Sequence, residues 1–195
     1  SLFRTSSGFI YVNNETYPSL PALFGRFLLF GKIYEARLQY FHDNPYLCDI
    51  DAKTQSQFVV PPNPVIHAND GSNLTLPADP VILLVNRGNC PFEEKANNAE
   101  RLHRSIRFLV VANFNLDNSM IEEETLVPMY SQGYTQLVLL SVSHSTGQAL
   151  KEFLSKQPAN ETALGGPRIF FDSQPPEGFS SQDLQSMLLS AMGLF

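Results

Sequence analysis

The chain has 195 residues, of which 43% are hydrophobic, 11% aromatic and 16% charged, and it is therefore long and apolar enough to bury a sizeable core. This composition excludes a disordered chain and a coiled coil. The net charge of −6 is spread without a long block of like charges, which argues against a nucleic acid or an anionic membrane surface as partner. The sequence contains no run of about 18 apolar residues, so we expect no membrane-spanning segment within it.

Short apolar runs separated by glycine, proline and asparagine predict a set of β-strands. They cover residues 9–12, 22–34, 81–85, 108–112, 137–142 and 168–171. The run at 81–85 is uninterrupted and aliphatic, which predicts a strand that is buried on both faces at the centre of the core. The connection from residue 40 to 64 is rich in proline and predicts a long irregular loop that no helix crosses.

Two amphipathic helices are predicted between these strands. The first follows the central strand directly, because Pro91 suits a first helical turn and the two acidic residues after it suit the positive end of the helix dipole. The second begins at a capping box formed by residues 145–148, Ser-Thr-Gly-Gln. Residues 157–166 predict a polar turn, and a short amphipathic helix is predicted behind Ser180.

Two kinds of residue indicate the compartment. Sequons of the form N-x-[ST] begin at Asn14, Asn73 and Asn160, and none has proline in its middle position. The two cysteines, Cys48 and Cys90, are the minimum for one disulfide, and their even number suits an oxidising compartment; two buried free thiols are the alternative. We therefore expect a secreted or luminal protein that is glycosylated at the three asparagines.

Residues 81–99, VILLVNRGNCPFEEKANNA, resemble the signature of the protease-associated domain, an apolar strand followed by R-G-x-C-x-F-x-x-K and a helix. Residues 139–150 resemble the second block of that family, a strand, a polar turn and a glycine that opens the next helix. The resemblance implies an α+β fold, a twisted β-sandwich or open β-barrel flanked by a few α-helices. We expect this domain at residues 1–166, with its motif-bearing core at about 20–156. Residues 167–195 then supply a C-terminal strand and a short helix, packed on the domain or leading to a transmembrane segment.

The resemblance also implies a disulfide, because the family commonly pairs cysteines equivalent to Cys48 and Cys90. Such a link ties the turn after the central strand to the long loop at 40–64. Gly88 lets the chain turn between strand and helix. We expect the covalent link to hold that turn in place.

The same turn is the expected binding site. Arg87, Gly88 and Asn89 lie at the carboxyl end of the central strand beside a helix N-terminus, where backbone N–H groups and a guanidinium suit a peptide's carbonyl or carboxylate groups. In plant vacuolar sorting receptors, which this chain resembles in the motif, the corresponding loop contacts cargo peptide. Asn89 stands where those receptors usually carry aspartate. Ser143 and His144, on the turn of the second block, are expected to flank the same groove. An ion pair of Arg87 within the domain is the alternative.

Catalysis is the alternative to binding as a function of the polar residues. The four histidines show neither an H-x-x-x-H nor an H-E-x-x-H spacing, and two cysteines are too few for a closed zinc site. The run Ser143-His144-Ser145 lacks a G-x-S-x-G elbow, and Ser145 is explained as a helix cap. Residues 69–73 carry oxygen ligands of the calcium-binding type but are more typical of a turn. We expect no catalytic residue, no metal and no cofactor.

Protease-associated domains occur as inserts in subtilisin-like proteases and aminopeptidases, in sorting receptors, and in ubiquitin ligases with a protease-associated, transmembrane, RING architecture. The chain starts at Ser1 without an initiator methionine or a signal-like segment, so we expect an excised piece of a larger protein. The resemblance implies a non-catalytic domain that recognises protein or peptide cargo on the luminal or extracellular side of an endosome, Golgi, vacuole or lysosome membrane protein. It would meet the membrane only through a segment outside this chain. A modulating insert in a larger protease or glycosidase and a glycosylated spacer are the alternatives.

Overall fold

The computed structural model describes residues 7–114 and 124–175 together with Ser186 and Leu189, and these residues are built mainly of β-strands. The strands are β1 Gly8–Val12, β2 Glu15–Pro21, β3 Tyr34–Tyr40, β4 Val65–His67, β5 Asn73–Thr75, β6 Val81–Asn86, β7 Ile106–Ala112, β8 Val138–Val142 and β9 Arg168–Phe171. The helices in the same ranges are α1 Ala52–Gln57, α2 Phe92–Leu102, α3 His144–Ser155 and α4 Ala159–Ala163. Within this described part, no helix is long and apolar enough to cross a membrane.

Seven of the strands close into a barrel in the order β1-β2-β8-β7-β6-β3-β9, and β4 and β5 form a separate hairpin. Four neighbouring strands, β3, β6, β7 and β8, run parallel to one another. Their carboxyl ends therefore lie together at one end of the barrel, which we call the exit end; they begin at the opposite, entry end. The expectation of a β-rich fold flanked by a few helices is confirmed, but the barrel is closed, because β9 pairs with both β1 and β3, and is neither a sandwich nor an open barrel.

Alternation along the central strand divides the core into two layers. On β6, Ile82 and Leu84 point into the barrel, whereas Leu83 and Val85 belong to the layer under α2. None of these four side chains is more than 1% exposed, so β6 is buried on both faces as its sequence predicts. Leu150 of α3 packs into the interior layer and so attaches α3 to the barrel.

The apolar run at 22–34 is a loop, and the prediction of a strand there was wrong for all but its last residue. The strand begins only at Tyr34. Gly25 and Gly31 adopt φ values of +81° and +73°, left-handed conformations that turn the chain out of an extended path. The run contains apolar residues for a reason other than strand formation: Leu28 inserts into the barrel interior.

Two short helices lie where irregular chain was predicted. The long loop at 40–64 contains α1, which Asp51 caps by accepting a hydrogen bond from the backbone N–H of Thr54 at 2.6 Å. Pro45 precedes α1 and Pro61, Pro62 and Pro64 follow it, so no proline interrupts this helix. The polar turn predicted at 157–166 contains α4.

The remaining differences from the predictions concern β2, the β4–β5 hairpin, β9 and the C-terminal helix. The strand β2 and the β4–β5 hairpin were not predicted from the sequence. The strand β9 pairs with both β1 and β3, so the barrel continues beyond residue 166. The helix predicted behind Ser180 lies outside the described residues, apart from Ser186 and Leu189, which are both helical.

Candidate functional site

The turn after β6 places the motif arginine at the exit end. Arg87 is the first residue after this strand, and it is exposed. Its backbone N–H donates to the carbonyl oxygen of Ala112 at 2.9 Å, and its guanidinium Nη1 donates to Oδ1 of Asn113 at 3.1 Å. The end of β6 is thereby joined to the end of β7, and the guanidinium is held at the rim of the barrel.

Asn113 connects the two sequence blocks. It is 6% exposed, and its backbone N–H donates to the carbonyl oxygen of Val142 at 3.0 Å. Its own carbonyl oxygen lies 3.2 Å from Nδ1 of His144. Arg87 and His144, which were predicted from separate blocks, thus contact the same residue. Sequence reasoning missed Asn113, although its position directly after a parallel strand is a signal for an exit-end site.

Lys151 of α3 adds a second cation to the exit end. Its ammonium group donates to Oδ1 of Asn86 at 2.8 Å and lies over the rings of Tyr40 and Phe114, 5.0 and 5.7 Å from their centroids. Burial lowers the pKa of Lys151. Lys151 was not predicted as a site residue, because a lysine in an amphipathic helix is ordinarily a solvated surface residue.

Aromatic rings line the same end of the barrel. The ring of Phe114 lies 6.1 Å from that of Tyr46 and 5.8 Å from that of His144, measured between centroids. The rings of Tyr40 and His42 are 4.9 Å apart in an edge-on arrangement. These partly apolar, partly polar rings offer a surface on which a peptide side chain can pack.

The cations of this end have neutral partners. Within the described residues, neither Arg87 nor Lys151 forms an ion pair with a carboxylate; each donates to an asparagine side chain instead. Glu124 reaches the rim through a hydrogen bond from Oγ of Ser145 at 2.5 Å. Among the described residues, the exit end therefore carries two cations to which an incoming carboxylate can form charge-assisted hydrogen bonds.

A disulfide and a buried lysine fix the turn that carries Arg87. Gly88 and Asn89 adopt φ values of +105° and +64° in this turn. Cys48 and Cys90 form the disulfide that the resemblance implied, and the bond indicates an oxidising environment. Lys95 donates to the carbonyl oxygen of Gly88 at 2.7 Å, so this carbonyl faces the protein and is unavailable to a ligand.

Ser143 and His144, the two predicted residues of the second sequence block, lie at the start of α3. The cap is Ser143, which is 3% exposed and accepts a hydrogen bond from the backbone N–H of Thr146 at 3.2 Å. The prediction of a cap at Ser145 was therefore off by two residues, and Ser143 positions His144 through the helix start. Gly147 allows the start of α3 to pack closely against the end of β7, because a Cβ at this position would lie 2.5 Å from Cβ of Ala112.

A cavity of about 210 Å³ adjoins the exit end. It lies between β3, α1 and the ends of α3 and α4, and its walls include Tyr40, His42, Gln57, Leu154 and Gly166. Tyr40 borders both this cavity and the ammonium group of Lys151. The ring of Tyr40 therefore lies between the cavity and the ammonium group of Lys151.

The remaining polar runs have structural roles. Residues 69–73 contain the turn of the β4–β5 hairpin, where Oδ1 of Asp70 accepts from the backbone N–H of Ser72 at 2.9 Å and from its hydroxyl at 2.6 Å. These bonds account for the run as a turn, the interpretation that its sequence favours. Within the described ranges, no group of three His, Cys, Asp or Glu side chains is placed to hold a metal ion.

No family model and no curated protein matches this sequence. Among solved structures, the zinc aminopeptidase BSAP from Bacillus subtilis is similar, with 15% identity, a TM-score of 0.51, and coverage of 88% of this chain and 31% of that chain. An aminopeptidase from Aneurinibacillus sp. strain AM-1 is also similar, with 13% identity, a TM-score of 0.42, and coverage of 88% and 30%.

The likeness to the Bacillus enzyme concerns the fold alone, since the identity is low. This chain spans about a third of that enzyme's length, because the match covers 31% of it. A seven-stranded barrel flanked by helices is consistent with a fold like that of the protease-associated domain.

Proposed function

We propose that this chain is a protease-associated domain that acts as a non-catalytic recognition module on the luminal or extracellular side of a membrane protein. It binds a protein or peptide segment at the exit end of its barrel. In the full-length protein this binding recruits cargo to a sorting receptor, or substrate to a ubiquitin ligase with a transmembrane segment and a cytosolic RING domain. The sequence motif, the barrel and the disulfide support this proposal.

The pairing of Arg87 and Lys151 with neutral amides is the observation on which the proposal rests. Two cations at the rim, bonded to Asn113 and Asn86, favour an anionic group on the ligand. A terminal carboxylate or an acidic side chain of a peptide is such a group. It carries a negative charge, and it accepts hydrogen bonds from a guanidinium in a planar arrangement.

The neighbouring aromatic rings and cavity define the rest of the ligand. A peptide whose carboxylate lies at Arg87 can pack a side chain against Phe114 and place another in the cavity beside Tyr40. Backbone groups are a weaker source of specificity here, since the carbonyl of Gly88 is already bonded to Lys95. We therefore expect selection by charge and by one or two apolar side chains.

A peptide-display selection against the 195-residue chain tests this function. We expect enriched peptides to carry an acidic residue or a free carboxyl terminus beside an apolar residue. Binding should fall at least tenfold in Arg87→Ala and partly recover in Arg87→Lys, because a lysine keeps the charge but loses the planar pair of donors. Arg101→Ala, at an exposed position on α2, is the matched control and should bind normally. Equal or no enrichment for the wild type and Arg87→Ala contradicts the proposal and favours a spacer.

An accessory domain of a larger hydrolase is the second candidate, and the likeness to the Bacillus aminopeptidase favours it. In that case the same exit-end surface positions a substrate for an active site elsewhere in the protein. An aminopeptidase assay of the full-length protein separates the two. Arg87→Ala then raises KM for long substrates and leaves kcat unchanged, whereas a sorting or ligase function predicts no peptidase activity.

A further inference from the structure

The loop at the entry end exposes several large apolar side chains. In this segment, which we call the entry loop (residues 22–33), Leu23, Phe27, Leu29 and Ile33 are 43%, 67%, 50% and 57% exposed. Such a concentration of exposed apolar residues is unusual for a protein surface that faces only water. Leu28, between them, is 6% exposed and anchors the loop in the barrel.

Backbone hydrogen bonds hold the entry loop in this arrangement. The N–H of Arg26 donates to the carbonyl oxygen of Leu137 at 2.9 Å, and the N–H of Gly31 donates to that of Ser173 at 3.0 Å. The N–H of Leu29 donates to the hydroxyl of Tyr34 at 3.0 Å. The loop is therefore attached to the barrel on several sides, and Leu23, Phe27, Leu29 and Ile33 remain exposed.

Cations surround the exposed apolar side chains. Arg26 and Arg107 border one cavity of about 400 Å³ together with Phe27, and Arg104 and Arg107 border a neighbouring cavity of about 480 Å³. Within the described residues, none of these arginines forms an ion pair with a carboxylate. Lys32 lies over the ring of Tyr34, 4.9 Å from its centroid.

The carboxylates near the entry end are already engaged. Glu35 pairs with Arg168 at 3.2 Å, and Asp172 accepts from the backbone N–H of Phe9 at 2.9 Å. Glu100 accepts from the backbone N–H of Gln136 at 2.5 Å. Glu35 is neutralised by Arg168, whereas Asp172 and Glu100 accept from neutral donors and keep their charge. Among the described residues at this end, Arg26, Lys32, Arg104 and Arg107 form no ion pair and outnumber these two carboxylates. The entry end is therefore cationic, although the net charge of −6 for the whole chain argues against an anionic membrane partner.

We propose that the entry loop docks on an anionic phospholipid bilayer. Phe27, Leu29 and Ile33 insert into the interface between headgroups and acyl chains, and Arg26 and Arg107 bind lipid phosphates. The charge complementarity argues for lipid over a second copy of this acidic chain. The strand β9 also ends at this end, where the N–H of Gly31 donates to the carbonyl oxygen of Ser173.

This orientation separates the two surfaces of the domain. The parallel strands are up to 7 residues long, which at ~3.3 Å per residue places the exit end roughly 20 Å from the bilayer, facing the lumen. The docking proposal does not depend on the proposed function, because lipid binding and peptide binding use opposite ends of the barrel.

Vesicle co-sedimentation and fluorescence test the docking. The chain has no tryptophan, so Phe27→Trp is a site-specific reporter. With vesicles of phosphatidylcholine and phosphatidylserine we expect a blue shift and quenching by brominated lipid for Phe27→Trp. We expect neither for the control Leu164→Trp, an exposed position directly after α4 and away from the entry loop. We expect the triple variant Phe27→Ser, Leu29→Ser, Ile33→Ser to lose at least tenfold in binding, and Leu164→Ser to lose none. Arg26→Glu with Arg107→Glu should abolish the preference for phosphatidylserine.

Three results would overturn the docking proposal. The first is no binding to either anionic or neutral vesicles. The second is a Phe27→Trp shift that needs no lipid and rises with protein concentration, since a second copy then covers the loop. The third is vesicle binding that disappears on deletion of residues 176–195 while Phe27→Trp shows no lipid contact, since that segment then carries the binding.

Discussion

The ammonium nitrogen of Lys95 lies 2.7 Å from the carbonyl oxygen of Tyr46 and ties the motif helix α2 to the loop that precedes Cys48. It also donates to Gly88 at 2.7 Å and lies 3.4 Å from Sγ of Cys90. A buried lysine and a disulfide therefore restrain the same turn from two sides. The position of Arg87, which belongs to this turn, depends on both.

We expect the disulfide to contribute a large share of the stability. It closes a sequence separation of 42 residues. In the chain-entropy model, the variant Cys48→Ser, Cys90→Ser loses about 4 kcal/mol in the free energy of unfolding. Urea denaturation measures this loss, and a reducing agent should destabilise the wild type but leave the double variant unchanged. A loss below about 1 kcal/mol contradicts the expectation.

Lys95 should make the stability depend on alkaline pH. Burial lowers its pKa to about 8 from 10.5, against a smaller opposite effect of Glu94. Between these two values the unfolded lysine binds a proton that the folded lysine does not, so this group increases the stability as the pH rises through that window.

The variant Lys95→Met tests this linkage. At neutral pH it should be less stable by about 1–3 kcal/mol, because the carbonyl groups of Tyr46 and Gly88 lose their donor. Urea denaturation between about pH 8 and 10.5 should show that the difference in the free energy of unfolding between the wild type and this variant, the gap, widens as the pH rises. The exposed Lys53→Met is the control. A gap that stays constant would show that Lys95 titrates normally.

Arg37 is a second buried cation, and it joins β3 to the segment before β9. It is 7% exposed, donates to Oδ2 of Asp79 at 2.9 Å and to the carbonyl oxygen of Gly166 at 2.7 Å. We expect Arg37→Met to reduce the free energy of unfolding by about 3 kcal/mol, since it leaves both acceptors without this donor. Lys156→Met, which removes an exposed pair with Glu152, should change it by less than about 1 kcal/mol.

Asp79 should add a dependence on acidic pH. Burial raises its pKa, but the hydrogen bonds from Arg37 and Arg168 outweigh that effect and hold the pKa below 3.8. Its stabilising contribution is therefore complete above pH 3.8 and is lost as the pH falls through the folded pKa. Acid unfolding of Asp79→Asn should be shallower than that of the wild type, and an unchanged slope contradicts this assignment.

The three sequons occupy exposed positions, which glycosylation requires. Asn14 lies in the turn between β1 and β2, Asn73 in β5 and Asn160 in α4. We expect the chain secreted from eukaryotic cells to lose mass on treatment with an N-glycosidase. Each Asn→Gln variant should remove one glycan, and Thr16→Ala should reproduce the effect of Asn14→Gln. A glycosidase-resistant chain contradicts the expectation that these sequons are glycosylated.

The central elements of the fold are predictable because their signals are local. The aliphatic run at 81–85 and the helix after Pro91 need no distant partner to be recognised. The entry loop shows the limit of such reasoning, because its apolar residues look like a strand until Gly25 and Gly31 take positive φ values. The strand β2 was missed because its pattern includes Pro18 and Pro21, and its pairing with β1 and β8 outweighs their low propensity.

The site is predictable in part for the same reason. Arg87 and His144 stand in recognisable blocks, and the structure brings both to Asn113. No sequence motif marks Asn113, Phe114 or Lys151. Their placement follows from the parallel order of β6, β7 and β8, which periodicity alone does not reveal.

The central claim is that the exit end binds peptide, and an NMR titration of the 15N-labelled chain with a display-selected acidic peptide tests it most directly. The account predicts chemical-shift changes in the amides of residues 86–89, 112–114 and 143–151, with the entry loop unaffected. It also predicts that the changes vanish when the peptide's carboxylates are replaced by amides. Shifts centred elsewhere on the barrel, or equal shifts with the amidated peptide, would contradict it.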